Sequence, residues 1–415
     1  LVEVCDPTGK RLTLRYDAAD NVVEGTDWEG AATTRAYDDL GNLTRMRDPL
    51  GRETTLTHDA RGQVIAMAWP DGARVTREYD GEGNLTREVD EGGRTRRFRY
   101  RGFGRLVESV EPDGATVRYE YDTEENLVAV VNERGERATF GVDLVGRRVR
   151  ERGFDGRVTR RRYDRAGRCV EVVDGRERVT RLERDALGRV VSRKHPDGAV
   201  CRYEYGADGL LARASSPDCD VRFERDAVGR VVRETVGDRA VEVRYDAAGR
   251  RVGRSTSLGH RALYAYDGNG RLRGVELDPD ASWMSWTSGA VEPTSRPRRP
   301  WVIGIDRDAV GAEVARSAPG DVRLRWDRDD IGRSRALTMQ RGDEQVFARG
   351  YLWQPGPLLE GVVEPERGAT RFERDLRGRV VAAHRPDGTT LRRALDEAGN
   401  PFRSLAIVRK PSTVA

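Results

Sequence analysis

Apolar and polar residues alternate with a period of two in short runs along almost the whole chain. In TVRYEYD, Val117, Tyr119 and Tyr121 fall on one side while Arg118 and Glu120 fall on the other. Cys201, Tyr203 and Tyr205 alternate in the same way with Arg202 and Glu204, and Phe98 and Tyr100 with Arg97 and Arg99. That period is the mark of a half-buried β-strand. A second kind of run opens on an aliphatic residue just after a glycine, as at Leu43, Val64, Leu85, Leu106 and Leu127. Two sorts of turn separate the runs. One reads Tyr-Asp-x-x-Gly. The other carries a glycine eight residues before the next motif aspartate, as at Gly30, Gly51 and Gly72, and is spelled Pro-Asp-Gly from Pro70, Pro112, Pro196 and Pro386. Two short strands and two turns make one unit, so the chain is predicted to be a succession of β-hairpins.

The unit keeps time. YDDLGNL at Tyr37 returns as YDGEGNL at Tyr79, YDRAGRC at Tyr163, YDAAGRR at Tyr245 and YDGNGRL at Tyr266, with a weaker copy, RDALGRV, at Arg184. Measured at the motif aspartate, nearly every step is 21 residues, which makes this a repeat protein. The residues that define it are Tyr37, Asp38 and Gly41; Tyr79, Asp80 and Gly83; Tyr163, Asp164 and Gly167; Asp185 and Gly188; and Asp226 and Gly229. Tyr245, Asp246 and Gly249, Tyr266, Asp267 and Gly270, and Asp375 and Gly378 continue the series. Each has a structural task. The aspartate accepts backbone N–H groups within its own turn, and the glycine supplies a left-handed conformation. The tyrosine adds a ring to a cross-strand ladder and keeps its hydroxyl at the wet margin.

Composition narrows the class. Charged residues make up 35% of the chain and hydrophobic ones only 37%, with a mean hydropathy of −0.72. Such values approach those of disordered chains, yet the regular alternation argues for a thin sheet with two wet faces. The net charge of +4 comes from 74 basic and 70 acidic residues interspersed along every repeat, which excludes a phosphate-binding face and a nucleic-acid partner. Cys5, Cys169, Cys201 and Cys219 have no metal-ligand or disulfide spacing. No apolar run is long enough to span a bilayer, and no secretory signal opens the segment. Its start at Leu1, within a repeat, reads as part of a larger polypeptide.

Residues 1–276 read as a regular strip and 305–402 as its continuation, with a worn repeat near 354 and a tail from 403 to 415. Between them, 277–304 is a degenerate repeat or loop rich in tryptophan and proline. Stepping back 21 residues from Asp308 lands there, on Thr287. Trp283, Trp286 and Trp301 are packing residues under a loop or a contact platform for a partner or a sugar. Catalytic chemistry has little to stand on. His58, His195, His260 and His384 lack metal-ligand spacing, and no nucleophile elbow or phosphate loop occurs. Asp327, Asp329 and Asp330 read as a charged turn rather than a cation site. No catalytic, metal or cofactor residue is assigned.

About 38 short strands at ~4.8 Å apiece give a strip roughly 180 Å long and ~23 Å wide. Sheets twist, so the strip must coil. Bent into one loop it would form a ring roughly 55–60 Å across on the same spacing. The Tyr-Asp-x-x-Gly-(Arg/Asn)-Leu phrase at this period resembles the YD repeat of Rhs proteins, of the C component of bacterial Tc toxins and of teneurins. The resemblance runs from Gly9 to about Phe402. It implies an all-β strip of tandem hairpins spiralling into part of a hollow shell, which in bacterial members encloses a C-terminal toxin. The implied partners are such a toxin or effector cargo and neighbouring shell segments. The implied location is outside the cell, secreted or at the surface as part of a larger polypeptide, after synthesis in a bacterial cytoplasm. Rhs cores usually close with an Asp-Pro-x-Gly-type self-cleavage segment, and neither Asp48-Pro49 nor Asp278-Pro279 continues that way. The competing reading is a surface adhesion or carbohydrate-binding repeat.

Overall fold

The computed structural model describes residues 1–6, 9–278, 300–395 and 401–409, with residues from 394 onward described through their backbone only. Among the described residues there are 37 strands and no helix, from β1 (Val2–Cys5) to β37 (Pro401–Arg409). They form one sheet. Each strand pairs antiparallel with its successor, so the topology is an unbroken meander. Consecutive hairpins are what the two alternating turns dictate. The motif turn closes through Asp38 N to Asn42 O and Gly41 N to Asp38 O, both 3.0 Å. The intervening turn closes in the same way, from Asp48 N to Arg52 O and from Gly51 N to Asp48 O.

The strip has no conventional core. Among the described residues only Ala66, Ala73, Val75, Ser109, Ala129, Ala138, Ile305 and Ala382, with Gly253, Gly268, Gly356 and Gly361, are buried, and no large side chain is fully enclosed. On strands such as Val200–Tyr205 one face is half-buried, with Cys201, Tyr203 and Tyr205, while Arg202 and Glu204 on the other are exposed. Cohesion must therefore come from the hydrogen-bonded ladder and from contacts between neighbouring repeats rather than from a packed interior.

The two edges of the strip differ. At the motif edge the register slips by one residue just before the tyrosine: Ala36 lies opposite Arg45, but Tyr37 lies opposite Leu43. The same bulge recurs at Glu78–Tyr79, Arg162–Tyr163, Glu204–Tyr205 and Glu373–Arg374. At the opposite edge the hairpins run without a slip, as from Arg45–Thr55 to Arg47–Glu53, and Met339–Gln340 is the exception. A bulge bends its strand and adds twist, so placing it on one edge makes the strip coil.

The coil closes sooner than even spacing predicts. The turn between β3 (Val22–Thr26) and β4 (Ala32–Tyr37) touches the turn between β26 (Arg261–Tyr266) and β27 (Leu272–Leu277). The turn between β7 (Val64–Ala68) and β8 (Arg74–Tyr79) touches the one between β30 (Val322–Arg328) and β31 (Ser334–Arg341). That between β11 (Arg105–Val110) and β12 (Thr116–Tyr121) touches the one between β34 (Gly368–Arg374) and β35 (Val380–His384). The offset is 23 strands each time. At ~4.8 Å per strand this is about 110 Å of wall per turn, or about 35 Å across if round. The strip thus overlaps itself instead of spreading into one wide ring, because the bulges add curvature that strand spacing alone does not contain.

Residues 279–299 lie outside the described residues, and with them Trp283, Trp286 and the step at Thr287. On either side, β27 pairs directly with β28 (Trp301–Arg307), Leu277 opposite Trp301 and Gly274 opposite Gly304. The ladder is therefore continuous across this segment, and the 23-strand offset is kept beyond it. Near the C-terminus, β37 extends over residues assigned from the sequence to a tail, pairing Thr389 with Arg409 and Leu391 with Ile407.

Candidate functional site

The motif turn is built around one carboxylate. Asp38 Oδ1 accepts the N–H of Leu40 at 3.0 Å and of Asn42 at 2.8 Å, while Oδ2 accepts the Asn42 side-chain amide at 3.0 Å. Asp80 repeats the pattern with Asn84. Where the sequence has arginine in that place, the guanidinium takes over the role of the amide. Arg168 Nε donates to Asp164 Oδ2 at 2.8 Å, Arg189 to Asp185, Arg230 to Asp226, Arg250 to Asp246 and Arg379 to Asp375. Asp267 accepts the N–H of Arg271 at 2.8 Å. The motif glycines all have a left-handed backbone, with Gly41 at φ 80° and Gly188 at φ 85°. The Asn42 side chain and N–H hold the Asp38 carboxyl below its usual range, and Arg147 does so for Asp143. The Arg178 guanidinium and the Arg176 N–H bring Asp174 down to about 2, and Arg213 brings Asp220 to about 2. These carboxylates stay charged and bonded, which suits a bend rather than a proton-transfer site.

The motif tyrosine does more than add a ring. Its hydroxyl donates to a backbone carbonyl in the preceding repeat: Tyr37 to Val22 O, Tyr79 to Val64 O, Tyr163 to Arg148 O and Tyr205 to Val190 O, all within 2.9–3.1 Å. Tyr245 and Tyr266 reach Val231 O and Arg251 O. Arginine in the tyrosine place performs the same act twice. Arg374 donates to Leu359 O at 2.6 Å and to its own turn at Gly378 O at 2.8 Å. Arg184, Arg225, Arg307 and Arg328 do likewise. Trp353 donates its indole N–H to Ser334 O at 2.8 Å. The arginine after one motif glycine then lies over the next aromatic, as Arg189 over Tyr205 at 4.5 Å and Arg333 over Trp353 at 5.3 Å. The sequence signal for this clamp was present in the arginines at 184, 225, 307, 328 and 374, which stand where tyrosine is expected.

The overlap of the two coils forms a polar seam. Asp27 and Asn269 meet through Asn269 Nδ2 and Asp27 Oδ2 at 2.7 Å, and Trp28 N donates to Asn269 Oδ1 at 2.9 Å. Glu29 takes the N–H of Gly268 and the Lys10 ammonium. Asp71 Oδ2 accepts Gly356 N at 3.1 Å and lies 3.4 Å from Arg333. Arg377 is 10% exposed and bridges Asp113 at 2.6 Å and Glu133 at 3.0 Å. Most of these contacts set an acceptor on the plain-hairpin edge of the first coil against a donor on the motif edge of the second, while Trp28 N donates in the opposite sense and Lys10 supports Glu29 from within the first coil. Asp71 and Asp113 belong to Pro-Asp-Gly turns, whose seam role the sequence reading did not contain.

Trp301 sits half-buried at the start of β28. His384 bonds Glu373 at 3.2 Å and Thr390 at 3.1 Å, His195 lies 3.5 Å from the Cys201 thiol, and Asp329 is engaged by Arg333. Among the described residues no group of three or more His, Cys, Asp or Glu is arranged to hold a metal. None of them forms a helix long and apolar enough to cross a membrane.

A coiled, two-faced hairpin strip held by turn carboxylates defines a structural repeat protein. The RHS-repeat family model matches residues 37–74, 79–108, 100–137 and 163–200, which are RHS repeats. By sequence it is similar to the toxin protein Tse5 of Pseudomonas aeruginosa, 32% identical over 206 residues, covering 47% of this chain and 14% of that protein. By fold it is similar to TcdB2-TccC3 without its hypervariable C-terminal region, with a TM-score of 0.69 over 96% of this chain at 14% identity. It is also similar to the Photorhabdus luminescens Tc holotoxin pore carrying the TccC3 D651A mutation, with a TM-score of 0.55 over 95% of this chain at 14% identity. The chain spans about a quarter of the length of each of these two structures and a seventh of Tse5.

Proposed function

We propose that this chain is a wall segment of a hollow shell that encloses a toxin or effector polypeptide belonging to a larger secreted bacterial protein. The observation that carries this reading is the seam. A strip that returns to its own edge after 23 strands, and bonds there at four turns, makes a continuous wall around a central space. The wall is the active element and carries no catalysis of its own. Its turn carboxylates are committed to N–H groups, arginines and asparagines, and its tryptophans at 326 and 353 are engaged with Arg316 and Arg333. The enclosed partner is the downstream polypeptide, and the outer contacts are further shell segments.

The test is limited proteolysis of the full parent polypeptide, followed by cryo-electron microscopy. Enclosure predicts a protected downstream fragment that becomes cleavable in the Arg377→Ala/Arg333→Ala variant, and density within the coil. A downstream segment digested equally fast in both, with an empty coil, would refute enclosure.

A further inference from the structure

Strand alternation sorts charges that look evenly mixed along the chain. The strands β14 (Arg137–Val142), β15 (Arg148–Arg152) and β16 (Val158–Tyr163) carry one carboxylate between them, Glu151. It lies on one face of the sheet, opposite Phe140 and Thr159, where Arg161 holds it at 3.3 Å. The other face of these strands carries Arg137, Arg150, Arg152, Arg160 and Arg162, all exposed, and no acid. Elsewhere on that face a carboxylate stands between arginines of adjacent strands. Glu108 lies opposite both Arg99 and Arg118, and Glu171 opposite both Arg162 and Arg181. Between β15 and β16 the row instead sets Arg150 directly opposite Arg160, a like-charge pairing that costs stability. Three of the five arginines find acids outside the patch: Arg137 pairs with Glu120, Arg160 with Glu177, and Arg162 with Glu171 at 3.6 Å. Arg150 and Arg152 have no ion-pair partner among the described residues. Gly141, opposite Arg150, has no side chain to cover it.

The geometry points to an interaction surface: the acid-free face of β14 to β16 takes an extended polypeptide segment carrying carboxylates at alternate positions. Arg150 and Arg152 stand two residues apart on one strand, so their Cα atoms repeat at about 6.6–6.8 Å, the same step as alternate side chains of an extended peptide. Carboxylate is the partner that arginines use across this face. Arg213 grips Asp220 through Nε and Nη2, each at 2.9 Å, and the planar fork of arginine matches a carboxylate in that way. Clusters of such forks recognise acidic motifs. This proposal rests on the charges of one face and not on enclosure of cargo.

Fluorescence anisotropy of a labelled peptide of alternating glutamate and threonine, titrated with the purified chain at low salt, tests it with two variants. Arg150→Glu/Arg152→Glu reverses the unpaired arginines. Arg193→Glu/Arg254→Glu makes the same change of charge at exposed positions of the opposite face. Circular dichroism and melting temperature establish that both fold, and the first should melt no lower than wild type, since it sets a carboxylate opposite Arg160. The wild type is expected to bind the peptide, the Arg150/Arg152 variant about tenfold more weakly, and the opposite-face variant within about twofold of wild type. A wild type that does not bind, or equal losses in the two variants, would overturn the proposal. A short RNA or inorganic polyphosphate that bound more tightly than the peptide and weakened in the Arg150/Arg152 variant would also overturn it, by making the face a phosphate site. Protection of a downstream polypeptide is read separately and would be untouched by that failure.

Discussion

The first and second coils use the same turn for different purposes. In the first coil the clamp is mostly tyrosine, one hydroxyl on one carbonyl, and the turn tip meets solvent, as at Tyr205 and Leu187. In the second coil, after Tyr266, the clamp is arginine or tryptophan, at Arg307, Arg328, Trp353 and Arg374, and turn tips such as Asn269 and Arg377 enter the seam. The backbone barely changes: Gly188 and Gly378 have φ of 85° and 79°. A repeat can therefore be read as a fixed bend plus two adjustable places, the clamp and the tip. The bend makes the strip, and the tip decides whether strips adhere.

The broadest way to break both coils is acid. The motif carboxyls of Asp38, Asp80, Asp143, Asp164, Asp185, Asp226 and Asp246 have folded pKa values below the ordinary value of about 3.9, so their contribution to stability is fully present above it and is lost as pH falls through the folded values. Asp174, in a plain-edge turn, and Asp220, on a strand, are lowered to about 2. Asp113 and Glu29 in the seam are also lowered, against burial by the Arg377 bond in one case and chiefly by the Lys10 bond in the other. The melting temperature is expected to be level from about pH 7 to 5 and to drop below about 4. A melting temperature as high at pH 2.5 as at pH 7 would show that the turns do not depend on charged aspartate.

Among single substitutions, Arg377→Ala should cost the most, about 2–3 kcal/mol, because it leaves the largely covered carboxylate of Glu133, and the more exposed one of Asp113, without their partner. Arg165→Ala, at an exposed motif turn of the first coil, should cost under about 0.5 kcal/mol. Urea titration of both variants makes the comparison, and equal midpoints would mean that the seam adds nothing. Next comes the bend itself. Gly188→Val places a β-branched side chain at φ 85° with Arg168 Cδ 3.3 Å from the new Cβ, a loss of about 2 kcal/mol. Arg193→Gln, on an exposed strand position, should be near neutral. Indistinguishable melting temperatures would contradict the turn assignment.

The clamps follow. Arg374→Leu removes donors from two carbonyls and should cost about 1–2 kcal/mol, while Tyr205→Phe removes one and should cost about 1 kcal/mol. Tyr205→Arg should hold most of the stability, since arginine reaches the same carbonyl in five other repeats. If thermal melts rank Tyr205→Arg below Tyr205→Phe, the two clamps are not equivalent.

Much of this was legible in the sequence, and the parts that were not have physical causes. Period-two alternation and the 21-residue step are local, so the strands around Tyr37 and Tyr205 and the turns at Gly41 and Gly188 could be read directly. The clamp was half visible: arginine in the tyrosine place looked like wear, because a side chain 15 residues from its acceptor leaves no spacing mark of its own. The seam was not visible at all. Asp71 to Gly356 and Arg377 to Asp113 are separated by 285 and 264 residues. Their meeting depends on curvature summed over 23 strands, to which each bulge adds a small twist that composition does not record.

The smallest expected effect tests the bend from the favourable side. Glu177 stands where other repeats of the plain edge have glycine, and it holds the same left-handed backbone at φ 59°. A non-glycine residue pays about 1–2 kcal/mol for that conformation, while glycine there would lose roughly 0.5–1 kcal/mol through greater freedom of the unfolded chain. The Glu177–Arg160 ion pair is mostly exposed on both sides and adds little. The balance favours Glu177→Gly by about 0.5–1 kcal/mol, read as a higher urea midpoint at unchanged slope. The same change at Glu125, the motif-edge counterpart at φ 61°, should give less, because it also removes the Arg105 pair at 3.0 Å, which is better covered than that of Glu177. A lower midpoint for Glu177→Gly would mean that the left-handed turn costs this strip nothing. The near-uniform use of glycine at the turns would then need a cause other than backbone strain.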